Sequence, residues 1–389
     1  MKFYKKSKTK VIIRGAAFLI LPFILTACTG KRSTQSQQIT SKTTPRKVDT
    51  TTGTVSSNYY ESMIEGGKYK VSQQRGVSIS NTNNMNDLMA FDSGLLNYDH
   101  KIFSTDKYIF QEGQNLTKRM VTSWLNRKSK DNPEGLNLED NQSTDPNKRN
   151  PLVLQQILEH DFLVKKGTGY NLEGIVLGLS INSIDYYQKE QYGATLKTPI
   201  KDEAGEKYAR EAADKILSRM RKMDGLKNIP IYLYVYREGP QDSLVGGEFI
   251  LSAKAKTGDK FTEWTQINEK NMIYPTINNE KPVNQKDADD FNNFKNNVQN
   301  FFPNLAGVVA QSHYEGGTLK GMTIKITTQF YSISEITSFT QYCANQANQY
   351  LPKEIPLEID IQSASGTMLA FIARNPTDTG FYTHVFSSY

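Results

Sequence analysis

The sequence predicts an α+β protein made of two related halves, each a β-α-β-β unit with a mostly antiparallel sheet and a helix packed on one face. Three observations predict it: two strand-like segments recur later in the same order, a helical stripe lies between them in each copy, and a further alternating segment follows each pair. The first pair is Leu172-Glu173-Gly174-Ile175-Val176-Leu177-Gly178-Leu179 against Leu319-Lys320-Gly321-Met322-Thr323-Ile324-Lys325-Ile326. Both read L-x-G-(I/M)-x-(L/I)-x-(L/I), the period of a strand. The second pair is Ile229-Pro230-Ile231-Tyr232-Leu233-Tyr234-Val235 against Ile355-Pro356-Leu357-Glu358-Ile359-Asp360-Ile361. Proline has no N–H for a ladder, so Pro230 and Pro356 belong at a strand start or an edge.

Between the matched strands of the first copy, Tyr208, Ala212, Ile216, Met220 and Met223 share one helical face. Arg219, Arg221 and Lys222 suit the C-terminal dipole and Gly225 suits the closing turn. In the second copy Ser332 and Glu335 stand at capping-box spacing, Phe339, Cys343, Ala347 and Tyr350 form the stripe, and Pro352 ends it. The further strands are residues 248–254 and 368–373. Residues 256–315 join the halves and carry a polar helix over 287–302, whose early acids Asp287, Asp289 and Asp290 suit a helix start. Upstream, Leu116 to Leu125 has helical character. Residues 127–150 are a long polar loop, and Leu152, Leu154, Ile157, Leu158 and Phe162 predict an amphipathic helix over 151–163.

Ahead of this body the chain is of another kind. Residues 1–14 are basic and residues 15–25 (GAAFLILPFIL) are apolar over signal-peptide length, too short for a comfortable span. Leu25-Thr26-Ala27-Cys28 follows, and it resembles the lipobox of bacterial lipoproteins. A thiol is nucleophilic enough to accept a diacylglyceryl group, and the small residues before it give a peptidase access to the backbone. Two acyl chains, at roughly 0.8 kcal/mol per buried methylene, anchor stably where one would not. The expected partners of this segment are therefore the membrane, through lipid on Cys28, and lipoprotein-processing enzymes. The expected location is the outer face of the cytoplasmic membrane. Residues 29–57 are rich in Thr, Ser, Gln and Lys and lack aromatics, which predicts a flexible tether reaching roughly 30 Å. The expected organisation is thus a signal peptide over 1–27, a tether over 28–57, and α+β domains over 58–255 and 256–389.

Composition excludes several functions. The 389 residues carry a formal charge of +7, but six positive charges precede Cys28 with no acid among them, leaving +1 for the rest. That balance gives nucleic acid no reason to bind. With Cys28 committed to lipid, Cys343 stands alone and no disulfide framework forms. The sequence has no G-x-S-x-G elbow, H-E-x-x-H pair or P-loop, so no catalytic residue, cofactor or metal is expected. His100, His160, His313 and His384 are scattered. Cys343 paired with His313 or His384 is the one nucleophile arrangement to weigh, and its place in the apolar stripe favours a packing role. Asp140, Asn141, Asp145 and Asn147 offer oxygens in a loop without EF-hand spacing. Tyr232, Tyr234 and Tyr236 form a row on one strand face that suits glycan or peptide contact if open, and packing if a helix covers it.

The lipobox, the tether, the stretches Phe91-Asp92-Ser93-Gly94-Leu95-Leu96 and Gln111-Glu112-Gly113-Gln114, and the repeated body together resemble the CamS family of Gram-positive sex-pheromone lipoproteins. The resemblance implies that the last residues before the cysteine are released as a short hydrophobic peptide to a receptor. The equivalent residues here are Leu21, Pro22, Phe23, Ile24, Leu25, Thr26 and Ala27. Phe23, Ile24, Leu25 and Ala27 match the family's heptapeptide pattern, whereas Leu21, Pro22 and Thr26 depart from it. Pro22 removes a backbone donor from the apolar segment and loosens it. A different reading places the function in the body, as a surface module that binds a cell-wall or extracellular ligand between its two halves.

Overall fold

The computed structural model describes residues 48–51, 58–78, 88–301 and 305–387. The expected signal peptide, Cys28 and most of the expected tether lie outside these. Strands β1 (Val48–Thr50), β2 (Glu61–Glu65) and β3 (Lys68–Tyr69) come first, then helix α1 (Leu88–Asp99), β4 (Ile109–Glu112) and α2 (Lys118–Leu125). A long hairpin of β5 (Leu154–Lys166) and β6 (Gly169–Ile181) precedes a small separate one of β7 (Ile184–Gln188) and β8 (Thr195–Pro199). Helix α3 (Asp202–Met220), β9 (Ile231–Arg237), β10 (Glu248–Ala255) and β11 (Thr262–Gln266) complete a first sheet ordered β1-β2-β4-β5-β6-β9-β10-β11, with β3 on β2. The second sheet contains β12 (Glu269–Tyr274), β13 (Leu305–Glu315), β14 (Thr318–Thr328), β15 (Leu357–Ser363), β16 (Met368–Arg374) and β17 (Tyr382–Val385), in chain order. Helix α4 (Gln285–Phe301) precedes β13, and α5 (Ile333–Tyr350) crosses from β14 to β15.

The duplication extends to register. Strand β6 runs parallel to β9 with Ile175 opposite Ile231, and β14 runs parallel to β15 with Met322 opposite Leu357. These are equivalent residues in the two sequence matches. Pro230 and Pro356 sit just before their strands, and their carbonyls accept from Ile175 N–H at 3.0 Å and Met322 N–H at 3.3 Å. A missing donor costs nothing at that position. The remaining pairs of these two units are antiparallel, so each half is α+β as the pattern predicted.

The unit is longer than the sequence suggested. A strand precedes each first matched segment, β5 in one copy and β13 in the other, so the repeat is β-β-α-β-β. Both copies carry a bulge at the same place, with Glu173 of β6 the extra residue opposite Phe162 and Leu163, and Lys320 of β14 the extra residue opposite His313 and Tyr314. The expected helix over 151–163 is strand β5 instead. Residues Leu154 to Leu163 are buried throughout because elements cover the sheet on both faces. Gln155, Gln156, Glu159, His160 and Asp161 are buried with the apolar residues, which erased the alternation and left helix-like spacing. The expected joining segment, 256–315, holds β11, β12 and β13 around its helix, and the two sheets meet at Ile267 and Asn268, beyond the boundary expected at 255. Residues 46–389 form one compact unit.

One face of the first sheet, with Ile175, Leu177, Leu179, Ile231, Leu233 and Val235, packs on α3 through Ala209, Ala212, Ala213 and Ile216. The opposite face receives α1, whose Phe91 and Leu95 are fully buried. Each such side chain contributes about 1.5–3 kcal/mol. The approach depends on two glycines: a Cβ on Gly178 would lie 2.8 Å from Phe91, and one on Gly94 would lie 2.7 Å from Phe249. In the second half α4 and α5 share one face of the sheet, leaving the other lined by residues such as Gln311, Thr323 and Glu358. The capping box of α5 is present, with Ser332 N–H donating to Glu335 Oε2 at 3.2 Å. Glu335→Ala should therefore lower unfolding free energy by about 0.5–1 kcal/mol, read from urea midpoints.

Candidate functional site

The residues named for processing, Leu21, Pro22, Phe23, Ile24, Leu25, Thr26, Ala27 and Cys28, lie outside the described residues. The tyrosine row lies under α1. Tyr234 and Tyr236 are buried and Tyr232 is half-buried, with Tyr98 stacked on Tyr234 at 4.5 Å and Phe91 on Tyr236 at 5.0 Å. In this arrangement the row packs a helix, and any ligand would have to displace α1 to reach it. Cys343 is buried in the second core, and burial pushes its thiol up, away from nucleophilic character. In the 127–150 loop, Asp140 and Asp145 accept from backbone N–H groups two residues on, the ordinary use of aspartate in a turn.

Two polar features stand out among the described residues. The first lies on β5, where the run Glu159-His160-Asp161 sends its middle residue to one face and its outer residues to the other. His160 is buried between two carboxylates of α1, with Nδ1 2.6 Å from Asp99 and Nε2 2.8 Å from Asp92. Burial opposes the imidazolium, yet Asp99 and Asp92 outweigh it and raise His160 to about 10, and His160 in turn holds Asp92 below its usual value. On the opposite face, residues 113–116 fold over Glu159 and Asp161. Leu116 N–H donates to Glu159 Oε2 at 2.8 Å, Gln114 N–H to Asp161 Oδ2 at 3.0 Å, and Asn115 Nδ2 to Glu159 Oε1 at 2.6 Å. Burial and then the Glu159 charge hold Asp161 well above the carboxylate range. The sequence stretches around Asp92 and Gly113 thus converge on one strand from both sides.

The second feature is the junction between the halves. Glu269 of β12 accepts from Tyr98 OH and, at 2.8 Å, from Phe249 N–H. Lys101 pairs with Glu315 at 3.1 Å, and Asn271 Nδ2 donates to Gly247 O at 2.7 Å. Beside these contacts a cleft of about 420 Å³ opens between α1 and the free face of the second sheet, lined by Ala90, Asn97, Gln311, His313, Lys320 and Glu358. An adjoining groove of about 460 Å³ follows the 237–248 turn. His160 and His313, read as scattered, each sit at a polar centre. The available signal for the first was three consecutive ionisable residues inside an apolar run.

A duplicated two-sheet body whose halves are joined at a polar junction defines a globular α+β domain of two related halves. Its family model agrees: the model described as CamS sex pheromone cAM373 precursor matches residues 69–379, and the chain belongs to that family. The chain is similar to the crystal structure of a sex pheromone precursor from Lactobacillus salivarius subsp. salivarius UCC118, with 45% identity over 88% of this chain and 100% of that one and a TM-score of 0.84. It is also similar to the C-terminal domain of the sex pheromone staph-cAM373 precursor from Staphylococcus aureus, with 30% identity over 79% of this chain and 98% of that one and a TM-score of 0.68. A comparison with curated proteins finds no match.

Proposed function

We propose that the chain is made as a lipid-anchored precursor whose signal segment is the source of a short hydrophobic peptide. The observation that carries this is Leu25-Thr26-Ala27-Cys28 at the end of a basic and apolar leader, in a chain of a pheromone-precursor family. Cys28 takes the diacylglyceryl group, a peptidase cuts after Ala27, and the body stays on the outer face of the cytoplasmic membrane. A second cut then frees residues 21–27 for a receptor on another cell. Mass spectrometry of the full-length precursor expressed in a Gram-positive host tests each step. The expected result is a mature N-terminus at diacylated Cys28 and a peptide ending at Ala27 in the medium. An unlipidated Cys28 would overturn the anchor, and a lipidated chain without the peptide would overturn the release.

The cleft between α1 and the second sheet favours a second, compatible reading in which the anchored body binds an extracellular ligand. Its mixed lining of amide, imidazole, ammonium and carboxylate groups suits a polar molecule such as a peptide or a cell-wall fragment.

A further inference from the structure

We propose that Glu269, His313 and Glu315 form a site for one divalent transition-metal ion of the zinc type at the junction between the halves. One donor atom from each of the three lies within 4.8 Å of the others. Asn271 Nδ2 is committed to the Gly247 carbonyl at 2.7 Å, which fixes the amide and leaves its Oδ1 2.8 Å from His313 Nδ1. An amide oxygen only accepts, so the proton of a neutral His313 is on Nδ1. Its Nε2 lone pair then faces two carboxylates, at 3.9 Å from Glu269 and 4.0 Å from Glu315. Three electron-rich atoms that face one another favour a cation among them, beside the Tyr98 OH and Lys101 Nζ that already serve Glu269 and Glu315. An Nδ1–H held by an outer amide is also the usual support of a metal-binding imidazole.

One ion is within reach after a small closure. Donors set tetrahedrally roughly 2.1 Å from an ion stand roughly 3.4 Å apart, so the carboxylates must close on Nε2 by about half an ångström and on one another from as much as 4.8 Å, which the partly exposed His313 and Glu315 side chains allow. Imidazole with carboxylate oxygens suits zinc better than the hard, all-oxygen ions. Three protein ligands leave a further position, and His313 and Asn271 line the 420 Å³ cleft, so that position is open to water or to a carboxylate or carbonyl of a bound molecule. Tyr98 OH and Phe249 N–H, both from the first half, steady Glu269 as an outer shell, so the ion would tie the second sheet to α1. One group competes: Lys101 Nζ already occupies Glu315 at 3.1 Å.

That competition supplies the decisive variant. Isothermal titration of the full-length chain in detergent with zinc chloride should give one ion per chain. His313→Gln and Glu315→Gln should each weaken binding at least tenfold, and both positions are partly exposed, so the fold is retained. Lys101→Met should tighten binding several-fold by removing the competing ammonium. His384→Gln should leave it unchanged. No stoichiometric binding, equal affinity in His313→Gln, or weaker binding in Lys101→Met would each overturn the site.

Discussion

Replacing His160 with alanine is expected to lower the unfolding free energy by about 3–5 kcal/mol at neutral pH, the usual cost of removing one partner from a buried ion pair. The two carboxylates would suffer unequally. The Asp92 side chain is 52% exposed and turns to water, whereas Asp99 is fully buried and its Oδ1 has no hydrogen-bond partner among the described residues. Without the imidazole its Oδ2 is orphaned too. Asp92→Asn should accordingly cost far less, under about 1 kcal/mol. The pH dependence follows from His160 being raised to about 10. A group raised in the folded state stabilises fully below its unfolded value near 6.5, and that contribution is lost as pH rises through about 10. Urea denaturation across that window should therefore find the gap between wild type and His160→Ala narrowing as pH increases. A gap below 1 kcal/mol at pH 7, or one that widens with pH, would mean that the triad is not an ion pair.

Gly113→Ala is the second large effect expected, about 3 kcal/mol or more. Its backbone N–H donates to the Glu159 carbonyl at 2.7 Å, and an added Cβ would lie 2.3 Å from the Glu159 Cβ and 2.5 Å from its Oε2. The loop would have to lift. Overpacking of that kind costs about 1–3 kcal/mol, and lifting also removes the Leu116, Asn115 and Gln114 donors from buried carboxylates, at about 1–3 kcal/mol more. Gly321→Ala is the matching control. Its nearest contact would be Pro356 at 3.7 Å, ordinary packing, so it should change stability by less than about 0.5 kcal/mol. Equal effects of the two substitutions, measured by thermal or urea unfolding, would remove the explanation offered for Gly113.

Gly174 and Gly321 show what the repeat contains and what it lacks. The two occupy equivalent places beside equivalent bulges, yet a Cβ on Gly174 would meet Phe103 at 2.3 Å, because only the first half is covered on its second face. Elements with one solvent face, such as β14, β15, α3 and α5, kept their period, and β6 and β9, covered on both faces, were legible through their match to β14 and β15. Strands β6, β9, β14 and β15, helices α3 and α5, and the cap at Ser332 all appear where alternation, stripe and capping residues placed them. The tyrosine row was legible as a face, but whether the face was open or covered depended on α1, which lies more than a hundred residues earlier in the chain.

By itself the sequence determined the α+β class and the recurrence of strand, helix and strand segments in the same order in two copies. These rest on local spacing, and local spacing is read directly from residue order. The tertiary structure alone decided that residues 151–163 form a strand, since burial on both faces removes the alternation that would reveal one. It alone placed His160 between Asp92 and Asp99, and His313 beside Glu269 and Glu315. His160 lies 61 and 68 positions from Asp99 and Asp92, and His313 lies 42 from Asn271, separations at which no period in a sequence encodes which side chains meet, whereas Glu315 follows His313 by two residues on β13 and so shares its face.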